Sequence, residues 1–563
     1  MAIASFSTIF DREFTGVHQA AFLLAGAAVI AKILALLRDR LLASTFGAGE
    51  SLDIYYASFR IPDFLYTLSL FLGASVVLIP LLLKKEMEGR SVSNEFIGNI
   101  LSWFSVGMII LGGILFFTMP VLNRLVAPGF DEVGLASLNL FSRILLIQAV
   151  LLGLSNIAGS IIQSFRLFFI YALSPILYNI GIVLGVLFFY PLWGLPGLVW
   201  GAVFGAFMHL CIQLPSLIRL RFIPRLSFRI TSLLKRALFL SFPRTIGLSV
   251  SQLVFIGMTA FASMFGFGSI AVFQLAYNLE TVPLTIIGLS YSVAAFPFLA
   301  GIIAHEEKKK FLSHISLAFR HIIFWSLPCT VLFIVLRAHI VRVILGAGNF
   351  GWVDTRLTAA ALALFSISLI AQSLVMLYVR AFYAAGKTFL PVFVNSISAL
   401  FIFTSSFFFV WLYGASPNFA FVFSSLLRVA DLPSAKMLIL PFAFSLGSII
   451  NGILLGIFFL YDFGPAGGKR FRRSLLEITG ASFAIGIVAF SVLRLLDTIF
   501  NLETFWGVFA QGAFAGIAGI IAGGIILFLL KNYEMFELKS ALLRRFWKVP
   551  VVAKDVSSAT EIS

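Results

Sequence analysis

The chain has 563 residues, of which 60% are hydrophobic and only 11% charged, and phenylalanine alone accounts for 64 of them. Soluble domains carry about 25% charged residues, so this composition cannot solvate an ordinary globular surface. Soluble enzymes, nucleic-acid-binding proteins and disordered chains are excluded, and the net charge of +16 reads as the basic cytoplasmic loops of a polytopic membrane protein.

A membrane-spanning helix needs about 20 apolar residues, within a range of roughly 17–25. In chain order this rule predicts spans near 18–43, 53–83, 95–122, 135–163, 168–191 and 194–217. A second set follows near 234–264, 269–303, 312–341, 356–384, 389–413 and 433–462, and two more near 475–497 and 505–531. The predicted fold class is therefore an all-α polytopic membrane protein of about 14 transmembrane helices. No cleavable signal peptide is expected, because Asp11-Arg12-Glu13 precede the first apolar run. Cys211 and Cys329 both lie inside apolar runs, so neither a disulfide framework nor a cysteine metal site is expected.

Charge in the loops gives an orientation. Connections after even-numbered spans hold Lys84, Lys85 and Arg90, then Arg219 to Lys235, then Lys308–Lys310, then Lys469 to Arg473. Those after odd-numbered spans hold fewer cations, offset by Glu50, Asp131, Glu132 and Asp354. Both termini are expected in the cytoplasm.

The chain also repeats itself. FGAGESLDIYYA at 46–57 matches FGFGSIAVFQLA at 265–276, an offset of 219. LFSRILLIQ at 140–148 matches LFSISLIAQ at 364–372, and Pro175 with Asn179 recurs as Pro391 with Asn395. Four ordered matches (Pro80 with Pro297 is the fourth) at nearly one offset imply two six-span repeats. An even number of spans per repeat relates the halves by an axis along the bilayer normal, an arrangement that transporters use with substrate between the halves. The expected domains are a first lobe over 1–217, a basic cytoplasmic linker over 218–236, a second lobe over 237–462, two additional spans over 463–531 and a cytoplasmic tail over 532–563.

Charge within a span costs at least about 2.5–3.5 kcal/mol at the helix centre and usually faces a cavity. Spans one and two hold Lys32, Arg38, Asp39, Arg40, Asp53, Arg60 and Asp63. Arg38 to Arg40 also fit a helix end whose side chains snorkel to the interface, but Lys32 lies near mid-depth. A cationic stripe lining a cavity selects an anionic ligand, phosphate first among them. The second half is poorer, with Arg244, Glu280 and Arg380 as its candidates. Glu280 stands three residues before Pro283, where a helix break frees carbonyls, so it is the candidate for ion or proton coupling; a buried Glu–Arg pair or a protonated Glu fits the position equally. His209 reads as a packed residue rather than a ligand. No HExxH, P-loop or GxSxG pattern occurs, so ATP drive, an enzyme activity, a cofactor and a metal are not expected, and neither is a nucleic-acid partner.

The stretch Lys32 to Pro62, KILALLRDRLLASTFGAGESLDIYYASFRIP, resembles the opening of the MurJ (MviN) lipid II flippases of the multidrug/oligosaccharidyl-lipid/polysaccharide exporter superfamily. SVSQ at Ser249–Gln252, the Pro283, Gly288, Pro297 spacing, APGF at 127–130 and GNF at 348–350 agree with it. The resemblance runs over essentially the whole chain. It implies a V-shaped pair of lobes around a cationic cavity in a bacterial inner membrane. There a lipid-linked saccharide diphosphate for peptidoglycan and cell-wall biogenesis, and so for cell shape, crosses while its polyprenyl tail stays among membrane lipids along the last two helices. It also implies Lys32, Arg38, Asp53 and Arg60 as substrate-binding positions, with Arg244 supplying a cation in the second half, and it leaves a coupling cation as a further partner. The sequence departs from the family at Lys32, Tyr66 and Asn278, where arginine is usual, and at Phe71–Ala74, which lacks a glutamate. Transport of lipid II is the first expectation and transport of another lipid-linked oligosaccharide the second. A multidrug or cation exporter would want an acidic or aromatic cavity, and a membrane transferase would want clustered carboxylates.

Overall fold

The computed structural model describes residues 17–73, 75–222, 227–304, 307–465 and 468–546. Arg225, the segment 547–563 and the side chain of Arg244 lie outside the described residues. Every regular element among those described is helical. Eleven helices are long and apolar enough to cross a membrane, or twelve if Trp352–Ile367 and Leu369–Ala384, bent by 44°, form one span. Among the described residues, two further segments stand where the first two spans are expected, outside that count of eleven or twelve. They are α1 (Val17–Phe46) and the broken segment α2 (Glu50–Ser58), α3 (Arg60–Gly73) and α4 (Ser75–Glu88). Both carry the charged residues that set them apart from the other spans.

The first half continues with α5 (Arg90–Val126), α6 (Glu132–Ser164), α7 (Phe168–Leu184) and α8 (Leu195–Cys211). The second half holds α9 (Ser232–Ser263), α10 (Ser269–Pro283), α11 (Ser290–Ala304), α12 (Lys308–Val335), α13 (Arg337–Ile344), α14 (Trp352–Ile367), α15 (Leu369–Ala384), α16 (Phe389–Ala415), α17 (Pro417–Leu426) and α18 (Ile439–Phe463). The sequence repeat has a counterpart in packing. In the first half α1 packs on α7, α7 on α8, α6 on α8, α2 on α6 and α4 on α5. In the second half the matching pairs are α9 on α16, α16 on α18, α15 on α18, α10 on α14 and α11 on α12. Two appended helices, α19 (Lys469–Leu496) and α20 (Phe505–Leu529), pack on each other, and α19 packs on α12. A short α21 (Tyr533–Phe546) is fixed to α12 by Arg320 and Glu534 at 3.0 Å.

Lipid tails are as apolar as leucine, so helices in a bilayer associate through close backbone approach at small residues. The α7–α8 seam does this with glycines four apart. A Cβ at Gly181 would collide with Gly205, and one at Gly201 would collide with Gly185. Large apolar side chains point the other way: Phe188, Trp193, Trp200 and Phe207 are all exposed on the outside of this pair, as a lipid-facing surface requires. Gly201→Leu is expected to force the seam apart and lower the unfolding temperature in detergent by several degrees, an overpacking penalty of about 1–3 kcal/mol. The same change at Gly112, where a Cβ meets open space, is expected to leave that temperature unchanged.

Candidate substrate cavity

The two halves meet along α3 and α9, α2 and α10, and α1 and α10. Where they meet, the repeated FGxG turns touch. Gly268 has φ +86°, and a Cβ there would collide with the carbonyl oxygen of Ala48, so glycine is required both by conformation and by space. This approach brings the Asp53 carboxylate of α2 to the first turn of α10. Oδ2 accepts from the Gly268 N–H and Oδ1 from the Ala271 N–H, each at 2.7 Å. The first N–H groups of a helix have no partner inside it, and a carboxylate placed there satisfies them and matches the helix dipole. Asp53 is fully buried and is not among the cavity-lining residues. The structure therefore places it in a latch between the halves. Its counterpart by the repeat offset is Val272, so the repeat does not duplicate this carboxylate.

Further contacts close the same end, one of them the converse of Asp53: the Ala48 N–H donates to Asp354 Oδ2 at 3.4 Å. Arg40 Nη1 donates to the carbonyls of Val343 and Ile344 at 2.6 and 3.1 Å, satisfying the last turn of α13. The Asn349 backbone N–H donates to the Ser44 carbonyl at 2.9 Å.

Beneath the latch lies a cavity of about 190 Å³ lined by Arg38, Arg60 and Asp63 with Tyr55, Tyr56 and Tyr178. One hydrogen-bonded chain crosses it from half to half. Arg38 donates to Asn179 Oδ1 at 3.1 Å and, through Nε and Nη2, to Asp39 Oδ1 at 3.0 and 2.7 Å. Asp39 Oδ2 accepts from Asn278 Nδ2 at 3.0 Å, and Asn278 Oδ1 accepts from Gln274 at 2.7 Å. Gln274 Oε1 accepts from Arg60 Nη2 at 2.7 Å, and Arg60 Nε donates to Thr259 at 2.7 Å. The Arg60 guanidinium also lies 5.5 Å from the centre of the Phe255 ring. A guanidinium has five N–H donors; these bonds leave some on both arginines for an oxyanion such as a phosphate. The charge of Arg38 is matched by Asp39, so the wall is less cationic than the residue types alone imply.

Lys32 does not line this cavity; it donates to Thr281 Oγ1 at 3.3 Å, joining α1 to α10. Glu280 is fully buried. Its Oε1 accepts from Gln372 Nε2 at 3.0 Å, while Oε2 has no hydrogen-bond partner. Beyond Pro283 the helix widens into a π turn over Leu284–Leu289, a local irregularity that such turns share with many functional sites. Of the two positions where the family usually has arginine, Tyr66 packs against the apolar cluster of the first half and Asn278 is a neutral link in the chain above. Thr259, Gln274, Asn179 and Gln372 were not picked out by charge. The signal available for Gln274 and Asn278 is their spacing of four on one helix face.

A sequence profile of the family described as "Lipid II flippase MurJ" matches residues 42–505. The chain belongs to this family, within the class of polytopic membrane transporters built from two six-helix repeats. A probable lipid II flippase MurJ of Buchnera aphidicola subsp. Acyrthosiphon pisum is 31% identical over 382 residues, covering 64% of this chain and 72% of its own. The lipid II flippase MurJ of Burkholderia cenocepacia is 24% identical over 387 residues, 66% of this chain and 74% of its own. Among solved structures, lipid II flippase MurJ in an inward closed conformation superposes with a TM-score of 0.70 at 20% identity, over 92% of this chain and all of that one. An inward-facing multidrug-resistance MATE family transporter gives 0.60 at 15% identity, over 82% and 99%. These two show the fold.

Removing the latch is expected to loosen the closed end. Asp53→Ala leaves two helix-start N–H groups without acceptors, a cost of about 1–3 kcal/mol each. Spin labels at the exposed positions Val133 and Val353, one in each half, are expected to report a longer and broader distance distribution in Asp53→Ala than in the unmodified chain. An unchanged distribution would remove the latch assignment.

Proposed function

We propose that this chain translocates lipid II, a polyprenyl-diphosphate-linked peptidoglycan precursor, by alternating access between its two halves. Family membership supplies the substrate class. The observation that carries the site is the hydrogen-bonded chain from Arg38 to Arg60, which has members in both halves and holds two guanidiniums with spare donors. Drug-sized ligands fill pockets of about 300–1,000 Å³, so a cavity of about 190 Å³ admits a diphosphate only after the halves separate. Loading therefore replaces protein–protein hydrogen bonds across the cavity with bonds to phosphate. A related flippase for another lipid-linked oligosaccharide is the second reading, favoured by neutral Tyr66 and Asn278 at two positions where the family usually carries arginine.

Reconstituted protein is expected to move labelled lipid II across proteoliposomes, with no dye efflux and no glycosyl- or phospho-transfer. Arg38→Ala is expected to lower that rate by roughly 10–100-fold, the equivalent of about 1.5–3 kcal/mol for lost charge-assisted bonds, with protein levels unchanged. Wild-type transport by the variant would refute the cavity assignment. Faster transport of a different polyprenyl-diphosphate saccharide would select the second reading.

The orientation follows the loop charge: termini in the cytoplasm, the latch on the outer face. Reporter fusions at Lys85 and Lys309 are expected to report cytoplasm, and fusions at Asp131 and Glu503 the outer side. Energy enters in one of two physical ways. A net cation on the moving region feels about 2.3 kcal/mol per 100 mV, but Arg38 is neutralised by Asp39 and Arg40 belongs to the latch. Glu280, buried with one oxygen unpartnered, is the better coupling group, for a proton or a cation. In proteoliposomes, transport that survives a valinomycin clamp but falls when a proton or sodium gradient is collapsed, and loses that dependence in Glu280→Gln, is the expected pattern. Dependence on voltage alone would return the coupling to the cavity charge.

A further inference from the structure

At the same end as the latch, a second cavity of about 660 Å³ lies between the second half and the two appended helices. It shares no lining residue with the central cavity. Arg337 of α13, Arg356 of α14, Arg428 after α17 and Arg494 of α19 all line it, against the single acid Asp497. Arg356 is already committed. It holds Asp431 through Nη1 and Nη2 at 2.6 Å each and donates to the Arg428 carbonyl at 2.6 Å. Those bonds keep the Asp431 carboxyl below the usual carboxylate range. Among the described residues, no carboxylate forms an ion pair with Arg337, Arg428 or Arg494.

Three guanidiniums around one cavity repel one another. Arg337 registers this: burial, and then the charge of Arg428, lowers its hold on its proton. An anion between them relieves the repulsion, and a phosphate presents the planar oxygen pairs that guanidiniums bind in a fork. The rest of the wall identifies the source of that phosphate. Ile334, Val335, Phe490 and Leu493 line the same cavity, and Leu426 on its rim is 78% exposed. Trp352, 59% exposed, is an aromatic residue of the kind that marks a membrane–water boundary. A soluble phosphate gains nothing from that apolar surface, whereas the chains of a lipid do.

We propose that this cavity binds the phosphate headgroup of an anionic membrane lipid, with the hydrocarbon chains lying against the apolar faces of α12 and α19. The site requires the membrane placement of the chain but not the identity of its transported substrate, so its test stands apart from the transport assay.

The full chain in nanodiscs of mixed phosphatidylcholine and phosphatidylglycerol, released and weighed by native mass spectrometry, is expected to retain phosphatidylglycerol selectively. Arg428→Gln combined with Arg494→Gln is expected to retain about tenfold less, the ratio that corresponds to about 1.4 kcal/mol. Arg38→Ala, in the other cavity, should retain as much as the unmodified chain. Arg428→Lys with Arg494→Lys should recover most of the loss, which separates lost charge from lost folding. If the glutamine variant is not monodisperse, the preference of the unmodified chain decides. Equal retention of the two lipids, or undiminished retention by a monodisperse glutamine variant, would overturn the proposal. Displacement of bound lipid by an equal concentration of inorganic phosphate would reassign the cavity to a soluble anion and overturn the lipid site.

Discussion

A carboxylate from one half holding the start of a helix from the other is the interaction on which the arrangement depends. Asp53 satisfies the N–H groups of Gly268 and Ala271 at a point where the two FGxG turns approach so closely that a Cβ at Gly268 would collide with the Ala48 carbonyl. Buried backbone donors must find acceptors, and here the only route for that acceptor is across the seam between the halves. A fully buried carboxylate in an apolar setting carries a large desolvation penalty, which the helix dipole and two short charge-assisted bonds offset. Once that register is set, Arg40 meets the end of α13 and the cavity-crossing chain from Arg38 to Arg60 falls into place beneath it.

The duplication explains the shape of the molecule but not the distribution of its chemistry. Helix pairs recur from half to half, yet the intramembrane charge is concentrated in α1 to α3. The second half answers with amides and hydroxyls: Asn278, Gln274, Thr259, Thr281 and Gln372. Such a division has a physical advantage. A charge pair spanning two moving bodies has to be desolvated and resolvated in every cycle, at several kcal/mol per ion. Here Arg38 keeps its counter-ion Asp39 beside it on α1, and what breaks across the seam is a bond between Asp39 and a neutral amide. The neutral amide of Asn278 at the seam thus lowers the electrostatic cost of parting the halves relative to a cation there, and it leaves fewer charged donors for an oxyanion.

Much of this was legible in the sequence because membranes make patterns coarse. Length and apolarity located the spans, and the repeat divided them into two matching halves. The charged cluster in spans one and two marked the region of the cavity. Individual roles were less legible. Asp53 and Arg38 are fifteen residues apart in one charged cluster, and nothing in residue type separates a latch from a cavity wall. The distinction arises only from which backbone the second half brings opposite each. Arg40 carries the same charge as Arg38 and sits two residues away, yet a turn of about 200° around the helix sends it to carbonyls instead of the cavity. Gln274 and Asn278 were invisible to a search for charge, since an amide in an apolar helix is common and only its partners give it a role. The basic cavity beside the appended helices was hidden for another reason: Arg337, Arg356, Arg428 and Arg494 lie in four separate segments and meet only after folding.

Opening the latched end exposes the N–H groups at the start of α10 and the carbonyls at the end of α13. In the hydrocarbon of a bilayer such exposure would be prohibitive. It is tolerable here because the latch sits at a loop end, where water replaces each lost partner as it leaves, so the net change per bond falls to about 0.5–1.5 kcal/mol. The cavity-crossing chain lies deeper and has no such supply until the halves have parted. The order of events follows from this difference in solvation. Contacts near water give way at small cost, and those deeper in the membrane release only when an incoming oxyanion or advancing water takes up the donors of Arg38 and Arg60. On the proposed cycle, a diphosphate that enters once the halves begin to part is suited to holding them open, because it offers the donors of Arg38 and Arg60 an acceptor in place of the bonds lost across the cavity.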